Sequence, residues 1–454
     1  MQPRGRRRMG APDDESTSCA FDLGGGCLLF LGQVVQRTKP TADEPTMRLA
    51  ARGPYAPYGP LITTFSRLCA ISSSYASTTL QEAASWTIRH HANPNAAPPS
   101  TLLPAQMPLQ LTDHARAAAR ISLWPEYAPT PLRSCPGLAQ TLGVHSLHLK
   151  DETQRLGGVG SFKALGGAFA VEEMVRRSGT SACFATASAG NHGIGLAWGC
   201  RRLGVPCHVF LSTSVDEMQA DRVRAYGGTV HRVDGTYEDS LAAAQRASEV
   251  NGWSIVQDVD WVGYKRVPRD IFSGYTVLAG EIVDQLESDT APPPTHVLVN
   301  AGVGGLASAV CAHLWARYGS ERPRFITVEP SAADCLLHSA RTGRMDQLPA
   351  ERIVSGSTRQ TGLDCKVPTA LAWSVLESGA NDFVAVPDEV VTPCVELLGS
   401  LSPEPIRAGE SAVAGLGALL GACAQAQLAS ALGIGPSSRV ALIVCEAAFD
   451  LHAP

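Results

Sequence analysis

Residues 295–310 read THVLVNAGVGGLASAV: an apolar run to Asn300, glycines at 302, 304 and 305, and then at once a segment of helix formers. This is a strand that turns sharply into a helix, and it sets the fold class. Glycines let the backbone reverse and approach a ligand closely, while the unpaired N–H groups and dipole of a helix start attract an anion, most often phosphate. Gly302, Val303, Gly304, Gly305 and Leu306 are therefore a candidate phosphate cradle. It is not a Walker loop, since no Gly-Lys-Ser/Thr follows, and its G-x-G-G spacing differs from the dinucleotide fingerprint. Taken alone, the stretch also reads as a tight strand–helix turn with no ligand.

The same alternation extends in both directions. Upstream come HSLHLKD (145–151), KALGGAFAVEEMVRRS (163–178), ACFATAS (182–188), GIGLAWGCRRLG (193–204), PCHVFLS (206–212) and YEDSLAAAQRASEVNG (237–252). SIVQD (254–258) follows them, and RFITVEP (324–330) and RVALIVCEA (439–447) lie downstream. Short apolar runs separated by helical periods predict an α/β chain with parallel-rich sheets flanked by helices and ligands at the carboxyl ends of the strands. APPPT at 291–295 marks a connection between two lobes. The expected division is a large lobe of residues 105–180 and 285–454, a small lobe of 181–284, and an N-terminal extension of 1–104 that is disordered or a targeting segment.

Composition narrows the function classes. With 454 residues, 44% hydrophobic and 17% charged, the chain has the makeup of a globular protein with a sizeable core. A formal net charge of -5 offers no basic field for a polyanion, so nucleic acid is not expected as a partner. Thirteen cysteines with no C-x-x-C pair fit neither a disulfide framework nor a zinc site. No apolar run reaches the ~18–20 residues that span a bilayer, so no membrane partner is expected. The start, MQPRGRRRMG, carries the charge of a signal peptide, but DDE follows without a clear cleavage site. From Met47 to Gln81 there is no acidic residue, a pattern shared with mitochondrial transit peptides. A cytoplasmic location is expected, with a mitochondrial one as the alternative.

Four further features carry chemistry. In GSFKALGGAFAV (160–171), Lys163 lies in a weakly polar setting; it is either a snorkelling side chain or a buried amine available as a nucleophile. In TASAGNHGIG (186–195), Asn191 offers donor and acceptor beside small residues, Ser188 and Ala189 among them, that leave room for a planar ligand and a carboxylate; His192 is assigned no proton-transfer role. Asp258 ends SIVQD and is a general base facing the cleft or a turn cap. Cys445 places a thiol at a strand end. A lysine, an asparagine turn, a phosphate loop and that thiol match the requirements of one cofactor, pyridoxal 5'-phosphate.

The order SFKALGG, AGNHG, AGVGGLA resembles the fold type II pyridoxal-phosphate enzymes, two-lobed proteins with the cofactor in the inter-lobe cleft. A narrower resemblance, over residues 105–454, is to the diaminopropionate ammonia-lyase family. It rests on APTPL (128–132), KDETQRLGGVGSFKALGGA (150–168), QDVDWVGY (257–264), GYTVLAGEI (274–282), VEPSAADCL (328–336), TGLDCKVPTALAW (361–373) and AGESAVAGLGAL (408–419). The resemblance implies that Lys163 forms the internal aldimine, Asn191 contacts the ring hydroxyl, residues 302–306 hold the phosphate and Cys445 meets the pyridine nitrogen. A neutral partner there favours β-elimination over transamination. Ser188, Ala189 and Asn191 would line the substrate carboxylate site. A small amino-acid substrate and a homodimer are expected.

Three departures qualify the likeness. The family's D-G-N-H-G turn uses its aspartate as base for the D-isomer, and Ala189 stands there; the aspartate ascribed to the L-isomer is kept as Asp258. Burial beside the cofactor is expected to raise the Asp258 pKa towards a useful range. The family's C-terminal TEG reads CEA, with Ala447 in place of glycine. The acidic cluster that binds a cation in racemase relatives has Cys335 at a required acid, so no metal is expected. The expected reaction is elimination of ammonia from 2,3-diaminopropionate to pyruvate, L-isomer preferred. Alternatives are a serine/threonine dehydratase or β-replacement synthase, and an inactive binding or regulatory protein.

Overall fold

A computed structural model of the chain describes residues 67–68 and 73–448, apart from 180, 181, 189 and 356. The arginine-rich start, the apolar run after Cys27, most of the acid-free stretch after Met47, and Ala189 lie outside the described residues. The described residues belong to one folding unit.

The extension is shorter than the 104 residues expected. The helix Ser73–Ala83 fully buries Ala76 and Ala83, and the strand Arg89–Ala92 pairs antiparallel with Asp382–Val386. That strand, RHHA, lacks apolar alternation because it is a sheet edge held by polar contacts: His90 Nε2 lies 2.8 Å from Asp382 and Arg89 2.9 Å from Asp334. An edge strand needs partners on one side only, so hydrophobic periodicity does not reveal it.

The larger sheet has eight strands, in the order Arg67–Leu68, Leu132–Ser134, Ser146–Asp151, Arg439–Val444, His296–Asn300, Arg324–Pro330, Asp382–Val386 and Arg89–Ala92. Its centre is parallel, and Leu132–Ser134 and Arg89–Ala92 run antiparallel to their inner neighbours. The smaller sheet orders Thr229–Val233, Cys207–Ser212, Phe184–Ala187 and Ser254–Ile255, all parallel. Both central strand sets are buried, as apolar runs in parallel sheets require.

Small residues bring three helices into backbone contact. Lys163–Ser178 packs on Asn191–Leu203 and on Arg266–Ser288. A Cβ on Gly195 would lie 2.7 Å from Ala164 Cα, one on Gly199 2.6 Å from Ala168 Cα, and one on Gly274 2.7 Å from Gly166 Cα. No larger side chain fits at these crossings. The Gly/Ala bias around Lys163 thus serves helix packing, which pins the start of the helix that carries the lysine. Arg266–Ser288, placed by sequence in the small lobe, packs instead against this helix and against Gly305–Tyr318 and Leu111–Ile121. It is the long apolar face of this helix, with 18 buried residues, that draws it onto the larger body.

A buried ionic cluster ties the same helix to the segment before Lys163. Lys150 Nζ is 2.6 Å from Glu281, and Arg155 is 2.6 Å from Glu152 and 2.7 Å from Glu281; all four are buried. Removing any one partner would strand a charge, at about 3–5 kcal/mol.

A histidine pair makes stability depend on pH. The rings of His114 and His313 lie 4.3 Å apart between helices. Burial pushes the His114 pKa from 6.5 down to about 4, so the folded protein resists a proton that the unfolded chain accepts. A depressed histidine keeps its contribution above its unfolded pKa and loses it as pH falls from 6.5 towards 4, by about 3 kcal/mol for one such group. Thermal unfolding between pH 7 and 4 should show Tm falling through this window, with a shallower fall in His114→Asn.

Candidate active site

The lysine is delivered by a strained loop. After the strand Ser146–Asp151, Asp151 caps Thr153 N–H at 3.1 Å, and the chain reverses through Leu156, Gly157 and Gly158 at φ of 52°, 61° and 117°. Such angles cost a residue with a Cβ, so the glycines of RLGG belong to the turn. The segment 160–162 then runs beside the end of the strand Arg439–Val444: Ala447 N–H donates to Gly160 O at 2.8 Å and Phe162 N–H to Cys445 O at 3.3 Å. The Cβ that Gly160 lacks would meet Ala447 Cβ at 3.1 Å, so alanine at 447 is accommodated by the absence of a side chain opposite. Lys163 opens its helix directly after this pairing.

Lys163 Nζ forms an ion pair with Asp258 Oδ2. Burial alone would push the lysine down, but the adjacent carboxylate overrides it and holds the ammonium above the usual range. Burial alone would likewise raise Asp258, and Lys163 holds it well below the usual carboxylate range. This corrects the expectation of a raised Asp258: a lysine charge at contact outweighs burial. A neutral Lys163 would release that hold and leave burial to lift the Asp258 pKa. Asp258 lies three residues beyond the short strand Ser254–Ile255 rather than at its end.

His192 stands behind the pair. Its Nε2 donates to Val256 O at 3.0 Å, which leaves Nδ1 as a bare acceptor 3.9 Å from Asp258 Oδ2. Burial, the main cause, keeps the ring neutral by lowering its pKa.

Asn191 begins the helix Asn191–Leu203, and its Nδ2 donates to Glu446 Oε2 at 2.6 Å. Ser188 Oγ accepts Gly193 N–H at 3.1 Å and Gly190 N–H at 3.3 Å, so it shapes the asparagine turn as a cap. The Cys445 thiol, kept protonated by burial, accepts from Asn300 Nδ2 at 3.5 Å and donates to Ser411 O at 3.6 Å.

The candidate cradle at 302–306 is closely packed. Gly304 has φ of 96°, and a Cβ on it would lie 2.9 Å from Ala372 Cβ; one on Gly302 would lie 2.9 Å from Cys365 Sγ, and one on Gly305 2.7 Å from Phe272. Leu306 is buried at the first turn of Gly305–Tyr318, whose opening N–H groups have no partner within the helix. Val303 O accepts Thr369 N–H at 3.0 Å, and Thr369 Oγ1 donates to Asp260, two residues from Asp258. The cradle and the Asp258 loop are thereby tied together.

Glu329 explains why VEPSAADC carries an acid without a ligand cluster. It is buried and accepts Leu336 N–H at 2.7 Å and Leu337 N–H at 2.8 Å, capping the helix Cys335–Thr342 across the turn. Among the described residues, no group of three or more His, Cys, Asp or Glu side chains is placed to hold a metal.

A half-buried lysine amine, a glycine turn at a helix start, an asparagine amide and a neutral thiol fit pyridoxal 5'-phosphate. The family model of the "Pyridoxal-phosphate dependent enzyme" matches residues 123–446. The chain belongs to this family. It is 31% identical over 350 residues to a diaminopropionate ammonia-lyase of Salmonella typhimurium (strain LT2), covering 71% of this chain and 86% of that one. The holo diaminopropionate ammonia-lyase structure from Escherichia coli superposes with a TM-score of 0.73 at 29% identity, covering 81% of this chain and 95% of that one. The same enzyme in complex with D-serine gives 0.74 at 28%, with the same coverage. The chain is a pyridoxal-phosphate-dependent ammonia-lyase of the fold type II architecture.

For this pyridoxal-phosphate enzyme the cradle has a direct test. Gly304→Asp adds a side chain at positive φ and a negative charge where the backbone must approach a dianion. Cofactor affinity, read by spectral titration, should fall by at least about tenfold, a cost of ~1.4 kcal/mol or more.

Three neighbours of this site were not singled out from sequence. Glu446 is a buried carboxyl on Asn191, its pKa raised by burial. Cys365 borders the cradle within reach of Lys163 and Asp258, its thiol pushed up to about 11 by burial. Tyr275, in an apolar helical run, packs on Phe162 and against Gly166. Only Glu446, a lone acid closing an apolar strand, left a signal in the sequence.

Proposed function

We propose that this enzyme eliminates the β-amino group of 2,3-diaminopropionate, L-isomer preferred, to give pyruvate and ammonia. The observation that carries this reading is the contact between Lys163 Nζ and Asp258, which sets one amine against one carboxylate. Lys163, residues 302–306, Asn191 and Cys445 would hold the pyridoxal phosphate, which supplies an electron sink for the pair left at the substrate Cα. Asp258 is the group positioned to take the Cα proton. Lys163 Nζ, once free, would give a proton to the departing amine. Ala189 has no titratable group, so no second carboxylate comes from the asparagine turn. The diaminopropionate ammonia-lyase relatives support the substrate class, and the chain spans 86% of the Salmonella enzyme.

A panel of 2,3-diaminopropionate, serine and threonine with purified holoenzyme tests the proposal. Fastest pyruvate release from diaminopropionate is expected. Faster turnover of serine or threonine would replace it with a dehydratase.

A further inference from the structure

Tyr275 lies mid-way along the helix Arg266–Ser288 and is 1% exposed. Its ring fills the space that Gly166 leaves one turn after Lys163: a Cβ on Gly166 would fall 2.4 Å from Tyr275 Cε1. The Phe162 ring meets it edge-on with centroids 4.8 Å apart, and the same Phe162 ring lies 5.8 Å from Lys163 Nζ. The Tyr275 hydroxyl is buried and has no hydrogen-bond partner among the described residues. A buried hydroxyl without a partner is costly, and phenylalanine would fill the same space without that cost.

The reaction itself creates a need for such a group. Lys163 cannot keep its N–H on Asp258 while Asp258 takes the substrate proton, and a half-buried amine then needs another acceptor to hold its direction. We propose that Tyr275 is a positioning residue for Lys163: its hydroxyl oxygen accepts an N–H of the lysine once the lysine has left Asp258, aiming the nitrogen at the cleft. The hydroxyl is within electrostatic reach of both members of the pair, and burial keeps it protonated and neutral by raising its pKa. The proposal rests on the reading of Lys163 as the cofactor-bearing amine and Asp258 as the base.

The test is Tyr275→Phe in the holoenzyme, which keeps the ring and removes only the oxygen. With the substrate that the unsubstituted enzyme turns over, kcat should fall about 10- to 100-fold while KM stays within about threefold. The pH midpoint of the bound cofactor's absorption change should also move, by roughly half a unit or more. Borohydride reduction and peptide mapping should still place the label on Lys163 in both proteins. Unchanged kcat, or a lower kcat with an unchanged midpoint, overturns the positioning role, since packing alone then accounts for the residue. A label missing from Lys163 in the unsubstituted enzyme overturns the underlying reading and the proposal with it.

Discussion

Lys163→Ala is expected to lower turnover by at least about 10⁴-fold, because the amine that carries the cofactor is removed outright. Two effects are combined in that substitution. It deletes the nucleophile, and it strands Asp258, whose carboxyl then responds to burial alone and rises in pKa. Lys163→Arg separates them: the guanidinium keeps a positive charge beside Asp258 but forms no imine with the cofactor. Both variants should lose the lysine-linked absorption of the bound cofactor and all measurable pyruvate release. An arginine variant with near-normal rate would show that the charge at this position matters and the amine does not.

Asp258→Asn should lower the rate with the L-isomer by about 10² to 10⁴, the range for loss of one general base. The L- and D-isomers, anchored by the same carboxylate and amine, present the Cα proton to opposite faces, so one carboxylate cannot serve both equally. Before substitution the L-isomer should be the faster; afterwards the difference should vanish. The same variant should lower the Lys163 pKa, since burial acts unopposed once the carboxylate is gone. Equal rates with both isomers in the unsubstituted enzyme, or a fully active Asp258→Asn, would show that another group takes the proton.

Much of this site is local in sequence and therefore legible there. The cradle at 302–306 announces itself through glycines between a strand and a helix, and Lys163 through the small residues after it. Those small residues turned out to serve helix crossings at Gly166, Gly195, Gly199 and Gly274, which depend on partners about 30 to 110 positions away. What sequence could not show is state-dependent or non-local. The Asp258 pKa was expected to rise from burial, yet contact with Lys163, 95 positions away, reverses the sign. Glu446 meets Asn191 across 255 positions, and Tyr275 reaches the site only because Gly166 and Gly274 let two helices touch. The strand Arg89–Ala92 shows no apolar period because polar contacts, His90 with Asp382 and Arg89 with Asp334, hold it.

The central claim, elimination of the β-amino group from 2,3-diaminopropionate, has a stoichiometric signature. Water, substrate and products balance only if two ammonia are released for each pyruvate, one from the β-carbon and one from hydrolysis of the remaining amine. Serine dehydration releases one ammonia for each pyruvate. Ammonia and pyruvate should therefore be measured together after holoenzyme is given L-2,3-diaminopropionate. Two ammonia per pyruvate is the expected result; no pyruvate from this substrate, with pyruvate and ammonia appearing one to one from serine, would contradict it.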